Sequence, residues 1–455
     1  MVPWCIAMEK TYHFKVLGCR MNHAERREME SILVDRGLQP SSESPDLEIV
    51  HTCSVTGQAA AKSRNAIRRA KRNGKHVFVT GCFTGTDPEV AKELGDTVIT
   101  QAGKTPMLER FAHEVDGWLQ RPHQKEQPVS TSLPIATLPT TPGKHTRAEL
   151  RIQDGCDAHC TFCIIPKIRT TLRSKTVEDT VAEATCLVEL GHKEIIFTGI
   201  FIGAYGHETA LRRKQKTSKG SGGEHLANLL DAVAQIDGLE RLRISSMEPG
   251  DVTPILLDAM VANKNIVPHL HLPLQSGSSA VLQKMNRQYN VDQYLEMIAM
   301  VNERLTVDGL PPAITTDIIC GFPTETDEDF AQTVGIAKQV KYLHMHVFPY
   351  SVRTGTAAAR WNQLPSKVVQ DRVQQLLSLD EELSLAYRTQ LVGRSVQVML
   401  EQSNPDTHLF RGRCEHYAEI TLKTNAKQGE LLHATVTEVT NDSTLAMQEL
   451  TILTS

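Results

Sequence analysis

The chain has 455 residues, 40% hydrophobic and 22% charged, an ordinary globular composition with room for about two to four domains. A net charge of −4 excludes a global field for nucleic acid, so any such binding must come from local basic patches. No run approaches a membrane span, and MVPWCIAMEKTYHFKV lacks the basic region and long apolar core of a signal peptide. The expectation is a cytoplasmic protein with no membrane partner, where thiols stay reduced, so its ten cysteines point to metal or redox chemistry before disulfides.

The expected fold class is α/β multidomain. Over 11–119, FKVLGC, LEIVHTC and HVFVTGC each close a short apolar run with a cysteine: Cys19, Cys53 and Cys82. The runs read as buried strands, and AERREMESILVDRG and AAAKSRNAIRRAKRNG between them read as helices. Alternating strands and helices predict a parallel sheet, whose ligands gather at the carboxyl ends of the strands. The three cysteines are therefore expected to converge. Residues 120–146, rich in Pro, Thr and Ser, read as a linker.

The segment 147–383 opens with a strand-like run ending in DGCDAHCTFC, which holds Cys156, Cys160 and Cys163. Structural zinc wants four ligands, and a disulfide set would leave one thiol over. Three thiolates suit a cubane iron–sulfur cluster with one iron free of protein. Further runs, KEIIFTGIFIG, ERLRISSMEP, PHLHLPLQSG, AITTDIICGFP and YLHMHVFPYS, bring the strands to six, with helical stretches in most intervals. A partial (β/α)6 barrel follows, with Cys156, Thr198, Ser245, Gln275 and Gly321 on its active rim. Residues 205–223 form a basic, glycine-rich insertion. His269 and His271 are potential ligands by type but read as strand residues in or beside the site. Cys5, Cys186, Cys320 and Cys414 have no ligand-like spacing and read as structural. Over 384–455, short strands without helices predict a small all-β, OB-like module.

LGCRMN, HTCSVT, TGC, CTFCIIP, LHLPLQSGS and TDIICGFPTET together resemble the radical S-adenosylmethionine (SAM) methylthiotransferases, over about residues 11–452. The resemblance implies an N-terminal auxiliary-cluster domain, a radical SAM barrel and a TRAM domain. It assigns Cys156, Cys160 and Cys163 to the [4Fe-4S] cluster that binds and cleaves SAM. It assigns Cys19, Cys53 and Cys82 to a second [4Fe-4S] cluster that handles the transferred sulfur. It places Phe162, Thr198, Gly199, Ser245, Glu248 and Gly321 around SAM. The stretch HTCSVTGQAAAKSRNAIRRA resembles the branch that methylthiolates N6-threonylcarbamoyladenosine beside the tRNA anticodon. The alternatives are isopentenyladenosine in tRNA, a ribosomal-protein aspartate, or a metal-stabilised RNA-binding protein without activity. The implied partners are tRNA, an electron donor such as flavodoxin or ferredoxin, and a sulfur source.

The sequence departs from the family pattern at Lys167 and Thr170, where an aromatic residue and a glycine are usual, and at Arg26 and Arg27, where an acidic residue is usual. Residues 62–75 hold seven Lys or Arg and no acid. With Arg64, Arg68 and Arg69 there, and Arg169 and Arg173 beyond the cysteine triplet, these are the expected phosphate contacts.

Overall fold

The computed structural model describes residues 10–73, 75–103, 105–120, 146–211, 224–404 and 407–448. The expected linker lies outside these but for its ends, as do Cys5 and much of the 205–223 insertion. Five parallel strands build the N-terminal sheet: β1 (Thr11–Val16), β2 (Gln39–Pro40), β3 (Leu47–Thr52), β4 (His76–Gly81) and β5 (Thr97–Ile99), in the order β2-β1-β3-β4-β5. Side chains alternate across the sheet. Ile49 and Phe78 pack under α1 (Arg20–Asp35) and the helix Met107–Trp118. Val50, Val77 and Val79 pack under α2 (Gly57–Arg72). Thr56 caps α2 by accepting the Ala59 N–H.

The second domain carries six parallel strands, as the spacing predicts: β6 (Arg147–Asp154), β8 (Glu194–Gly199), β9 (Arg241–Ile244), β10 (His269–His271), β11 (Ala313–Cys320) and β12 (His344–Pro349). A two-residue strand, β7 (Arg173–Ser174), adds antiparallel to β6 at the edge. Bridges Leu242–Ile266 and Ser246–His271 join β9 to β10, so the strands form one curved, partial barrel. Leu150, Phe197, Leu242, Leu270, Ile318 and Met345 turn outward into the core beneath the helices. The alternate positions turn inward and are polar: Arg151, Glu194, Arg241, Arg243, His269, His271, Thr315, Asp317 and His346. Helix α1 lies along β6. Arg27 donates to the Glu149 carbonyl at 2.6 Å, and Arg151 pairs with Glu28 at 2.8 Å. One helix therefore serves both domains.

Helix α3 (Ser366–Thr389) packs along β12 and runs through the expected 383/384 boundary. It leads into a closed five-stranded barrel of β13 (Ser395–Asn404), β14 (Leu409–Cys414), β15 (Glu419–Lys423), β16 (Leu431–Val439) and β17 (Thr444–Gln448). This small barrel forms the floor of the large one. Arg241 donates to the Gln397 carbonyl at 2.8 Å, and Arg243 to that of Cys414 at 3.3 Å. Glu194 pairs with both arginines, and all three side chains are buried. The Tyr417 ring stacks on His269 with centroids 4.4 Å apart. Its hydroxyl accepts from Arg20 at 2.6 Å, beside Cys19. No helix among the described residues is long and apolar enough to cross a membrane.

Candidate active site

The three N-terminal cysteines follow the adjacent strands β1, β3 and β4, so parallel pairing sets them side by side at the carboxyl ends, as expected. Cys19 stands at the N-cap of α1 and is exposed; Cys53 and Cys82 are buried. Gly18 lets the first two loops meet. Its φ is +109°, and a Cβ there would lie 2.6 Å from the Cys53 Cβ and 2.9 Å from its sulfur. The Asn22 amide ties the strand ends together, donating to the carbonyls of Leu17 at 2.6 Å and Thr52 at 3.0 Å. The Ser63 hydroxyl of α2 accepts the Cys53 N–H at 3.1 Å and donates to its carbonyl at 2.7 Å.

The second triplet follows β6. Gly155, at φ +81°, makes the turn, because a Cβ would fall 2.1 Å from the Thr171 carbonyl. The Cys156 sulfur accepts the Ala158 N–H at 3.3 Å. The Cys163 N–H donates to the Cys160 carbonyl at 3.1 Å. The segment 284–287 holds the loop from outside. Thr161 donates to the carbonyls of Met285 and Lys284, and Asn286 donates to that of His159. Arg287, its side chain 8% exposed, donates to the Cys160 sulfur at 3.2 Å and pairs with Glu248. Sequence reasoning gave no role to Arg287, Asn22 or Ser63, although LGCRMN holds Asn22 and HTCSVTGQAAAKSRNAIRRA holds Ser63.

The two thiol-bearing segments meet in an apolar contact. Cys82 packs on Ile164 and Ile168, one and five residues past Cys163. Arg169 lies beside Cys82, 3% exposed, donating to Glu25 at 2.7 and 2.9 Å and to Asp154 at 2.8 Å. This corrects its expected role: a guanidinium buried among carboxylates cannot reach a phosphate. Arg173 is half-buried in β7. Arg64 is half-buried with its guanidinium 6.0 Å above the Phe83 ring, whereas Arg68 and Arg69 are exposed.

Burial pushes the Cys82, Cys156 and Cys163 thiols up to about 12. Neighbouring thiols add to this: Cys163 and Cys160 act on Cys156, and Cys19 acts on Cys82. These three thiols therefore favour protonated sulfur until an electropositive group displaces the protons. Cations stand ready for the thiolate form, Arg287 at Cys160, Arg169 at Cys82 and Arg353 near Cys53. Burial alone would raise the Glu25 carboxyl, but Arg169 and His51 hold it well below the usual range. Three soft donors with cationic support fit an iron–sulfur cluster in both places.

The expected SAM-side residues fall at the carboxyl ends of the barrel strands. Thr198 and Gly199 end β8, Ser245 follows β9, and Gly321 follows β11, its N–H donating to Glu325 at 2.9 Å. Phe162 meets Phe322 edge to face at 6.4 Å. Glu248 reaches the thiol loop through Arg287. The departures from the family pattern are accommodated. Lys167 donates to the Gly355 carbonyl, and Arg26 pairs with Glu30 at 2.6 Å. Cys186, Cys320 and Cys414 are buried, away from either set.

Residues 150–336 match the family model of the Radical SAM superfamily, and residues 11–101 match that of Uncharacterized protein family UPF0004. The threonylcarbamoyladenosine tRNA methylthiotransferase MtaB of Bacillus subtilis is 33% identical, over 91% of this chain and 90% of that protein. The tRNA-2-methylthio-N(6)-dimethylallyladenosine synthase of Streptomyces avermitilis is 35% identical, over 89% and 79%. Among solved structures, the radical SAM methyltransferase TsrM of Kitasatospora setae superposes with a TM-score of 0.53 at 14% identity, covering 77% of each chain. A partial parallel barrel with three thiols on the loop after its first strand defines a radical SAM enzyme. With the second thiol set and its sheet domain in place, the chain belongs to the methylthiotransferases of that superfamily, which transfer a methylthio group. As a radical SAM methylthiotransferase the enzyme uses SAM and [4Fe-4S] chemistry, and each of its two thiol sets fits one cluster. Bound together, cluster and SAM supply a carbon-centred radical able to take hydrogen from an unactivated C–H bond.

Proposed function

We propose that this enzyme methylthiolates N6-threonylcarbamoyladenosine beside the anticodon of tRNA, in the cytoplasm. The observation that carries the chemistry is the contact of Cys82 with Ile164 and Ile168, which joins the segment of the second thiol set to that of the first. A hydrogen-abstracting centre and a sulfur-donating centre must act on one substrate carbon, and this contact makes the two segments neighbours. Cys156, Cys160 and Cys163 would hold the SAM cluster; Cys19, Cys53 and Cys82 would hold the sulfur-handling cluster. Arg287 and Arg169 would balance the thiolate charge, while Phe162, Thr198, Gly199, Ser245, Glu248 and Gly321 would orient SAM at the rim. Arg68 and Arg69, on the helix that starts four residues after Cys53, would meet the tRNA backbone. An electron donor such as flavodoxin or ferredoxin and a sulfur source complete the system.

The choice of nucleoside rests on the HTCSVT…KSRNAIRR stretch and on relatives named for threonylcarbamoyladenosine in Bacillus subtilis and Chlamydia pneumoniae. A second reading, isopentenyladenosine, is favoured by relatives named for the dimethylallyl nucleoside at 35% and 34% identity. Mass spectrometry of tRNA nucleosides from cells with and without the gene separates them. Loss of the methylthio group from threonylcarbamoyladenosine alone supports the proposal; loss from the isopentenyl nucleoside, or no change in tRNA, overturns it. In the purified enzyme, Cys156→Ala should abolish SAM cleavage, whereas Cys19→Ala should keep cleavage and stop sulfur insertion.

A further inference from the structure

The inward faces of β10, β11 and β12 carry a group that neither thiol set uses. Strand alternation turns Leu270, Ile318 and Met345 out into the core and leaves His271, Asp317 and His346 pointing in. One ligand atom from each of these three lies within 4.8 Å of the other two. The surroundings favour ligation over a closed hydrogen-bond set. Thr315 Oγ1 stands 2.9 Å from His271 Nδ1 and 3.0 Å from His269 Nε2, so the hydroxyl orients the His271 ring and turns Nε2 toward Asp317. His271 Nε2 and the Asp317 carboxylate are 3.3 Å apart, longer than the roughly 2.7–2.9 Å of a charge-assisted hydrogen bond. It is the separation of two donors facing a common centre. His344, the next imidazole along β12, is engaged by Asp380 at 2.7 Å and stands outside the group. His346 is exposed, and it borders a cavity of about 330 Å³ lined also by Arg388, Arg413, Tyr417 and Thr421, which gives an ion a way in.

We propose that His271, Asp317 and His346 form a binding site for one divalent first-row transition-metal ion, distinct from the two iron–sulfur clusters. Two imidazoles and one carboxylate leave coordination positions free, and those positions face the polar interior of the barrel, where water or an oxygen donor of the substrate would fill them. Protein thiolates take no part, because the nine described cysteines belong to the two clusters or are buried elsewhere.

The test uses the anaerobic holoenzyme with both clusters assembled. It is dialysed against cobalt(II), and iron and cobalt are counted per chain for the wild type, Asp317→Asn and His346→Gln. The expected result is one cobalt per wild-type chain beyond the cluster iron. Each variant should show at least a tenfold loss of cobalt affinity with iron unchanged. The high-spin cobalt EPR spectrum should report nitrogen and oxygen ligands. The site is overturned by absence of retained cobalt, by equal uptake in wild type and variants, or by a sulfur-ligated spectrum. His346 lies at an exposed position, so His346→Gln keeps the test decisive if Asp317→Asn loses iron through misfolding. The readout is metal content, so it stands or falls independently of which nucleoside is modified.

Discussion

At the scale of single residues, cluster sites depend on neighbours that carry no sulfur. Gly18→Ala would drive a Cβ into Cys53, at 2.6 Å from its Cβ and 2.9 Å from its sulfur. The variant should hold about four iron per chain instead of about eight, with SAM cleavage retained; iron analysis and a cleavage assay read both. Arg287→Met would leave Glu248 buried without its partner, at a cost of about 3–5 kcal/mol, measurable by chemical denaturation. The same substitution removes the N–H that reaches the Cys160 sulfur, so the reduction potential of that cluster should fall, as followed by EPR redox titration. The cysteines themselves were legible, because clustered thiols are rare and their chemistry belongs to the residue type. Arg287 was not: its partner Cys160 lies 127 positions away, and nothing local sets this arginine apart from others. Arg169 was misread for the same reason. Beside other basic residues it resembles a phosphate contact, and only the fold brings Glu25 to it from 144 positions away.

Among the elements, strands were the most legible. Short apolar, β-branched runs closed by a cysteine read as buried strands because parallel pairing buries both faces. The double service of α1 was hidden. A helix of low mean hydropathy reads as a solvent-facing one, yet Glu25, Glu28 and Met29 are all buried, the acids by partners on β6 and the loop after it. Helix α2 keeps its basic face open. Replacing Arg68 and Arg69 together by Ala should weaken tRNA binding without selectivity for sequence. It should also lower the salt dependence of log K by roughly 1.5 to 2, as filter binding over a range of salt would measure.

For the whole molecule, the interface between the large barrel and its floor joins an apolar contact to a buried ion-pair cluster, and the cluster responds to pH. Burial opposes charge on Glu194, but Arg241, Arg243 and Arg147 prevail and hold its carboxyl at about 2. A carboxyl whose folded value is depressed contributes stability above its unfolded value, about 4.3, and loses it as pH falls toward 2. The contribution is roughly 3 kcal/mol, from about 1.4 kcal/mol per unit of displacement. Glu194→Gln should cost about 3–5 kcal/mol at neutral pH by stranding two buried arginines, and should flatten the loss of stability between pH 4.5 and 2. Denaturation curves across that range would show both effects.

The floor is made after the barrel it closes. Arg241, Arg243 and His269 find their carbonyl and ring partners only in residues 397–417. Synthesis runs from the N-terminus and domains fold as they emerge, so both cysteine sets leave the ribosome while the barrel is still open below. Until residues 397–417 follow, three buried polar side chains of the large barrel stand without those partners.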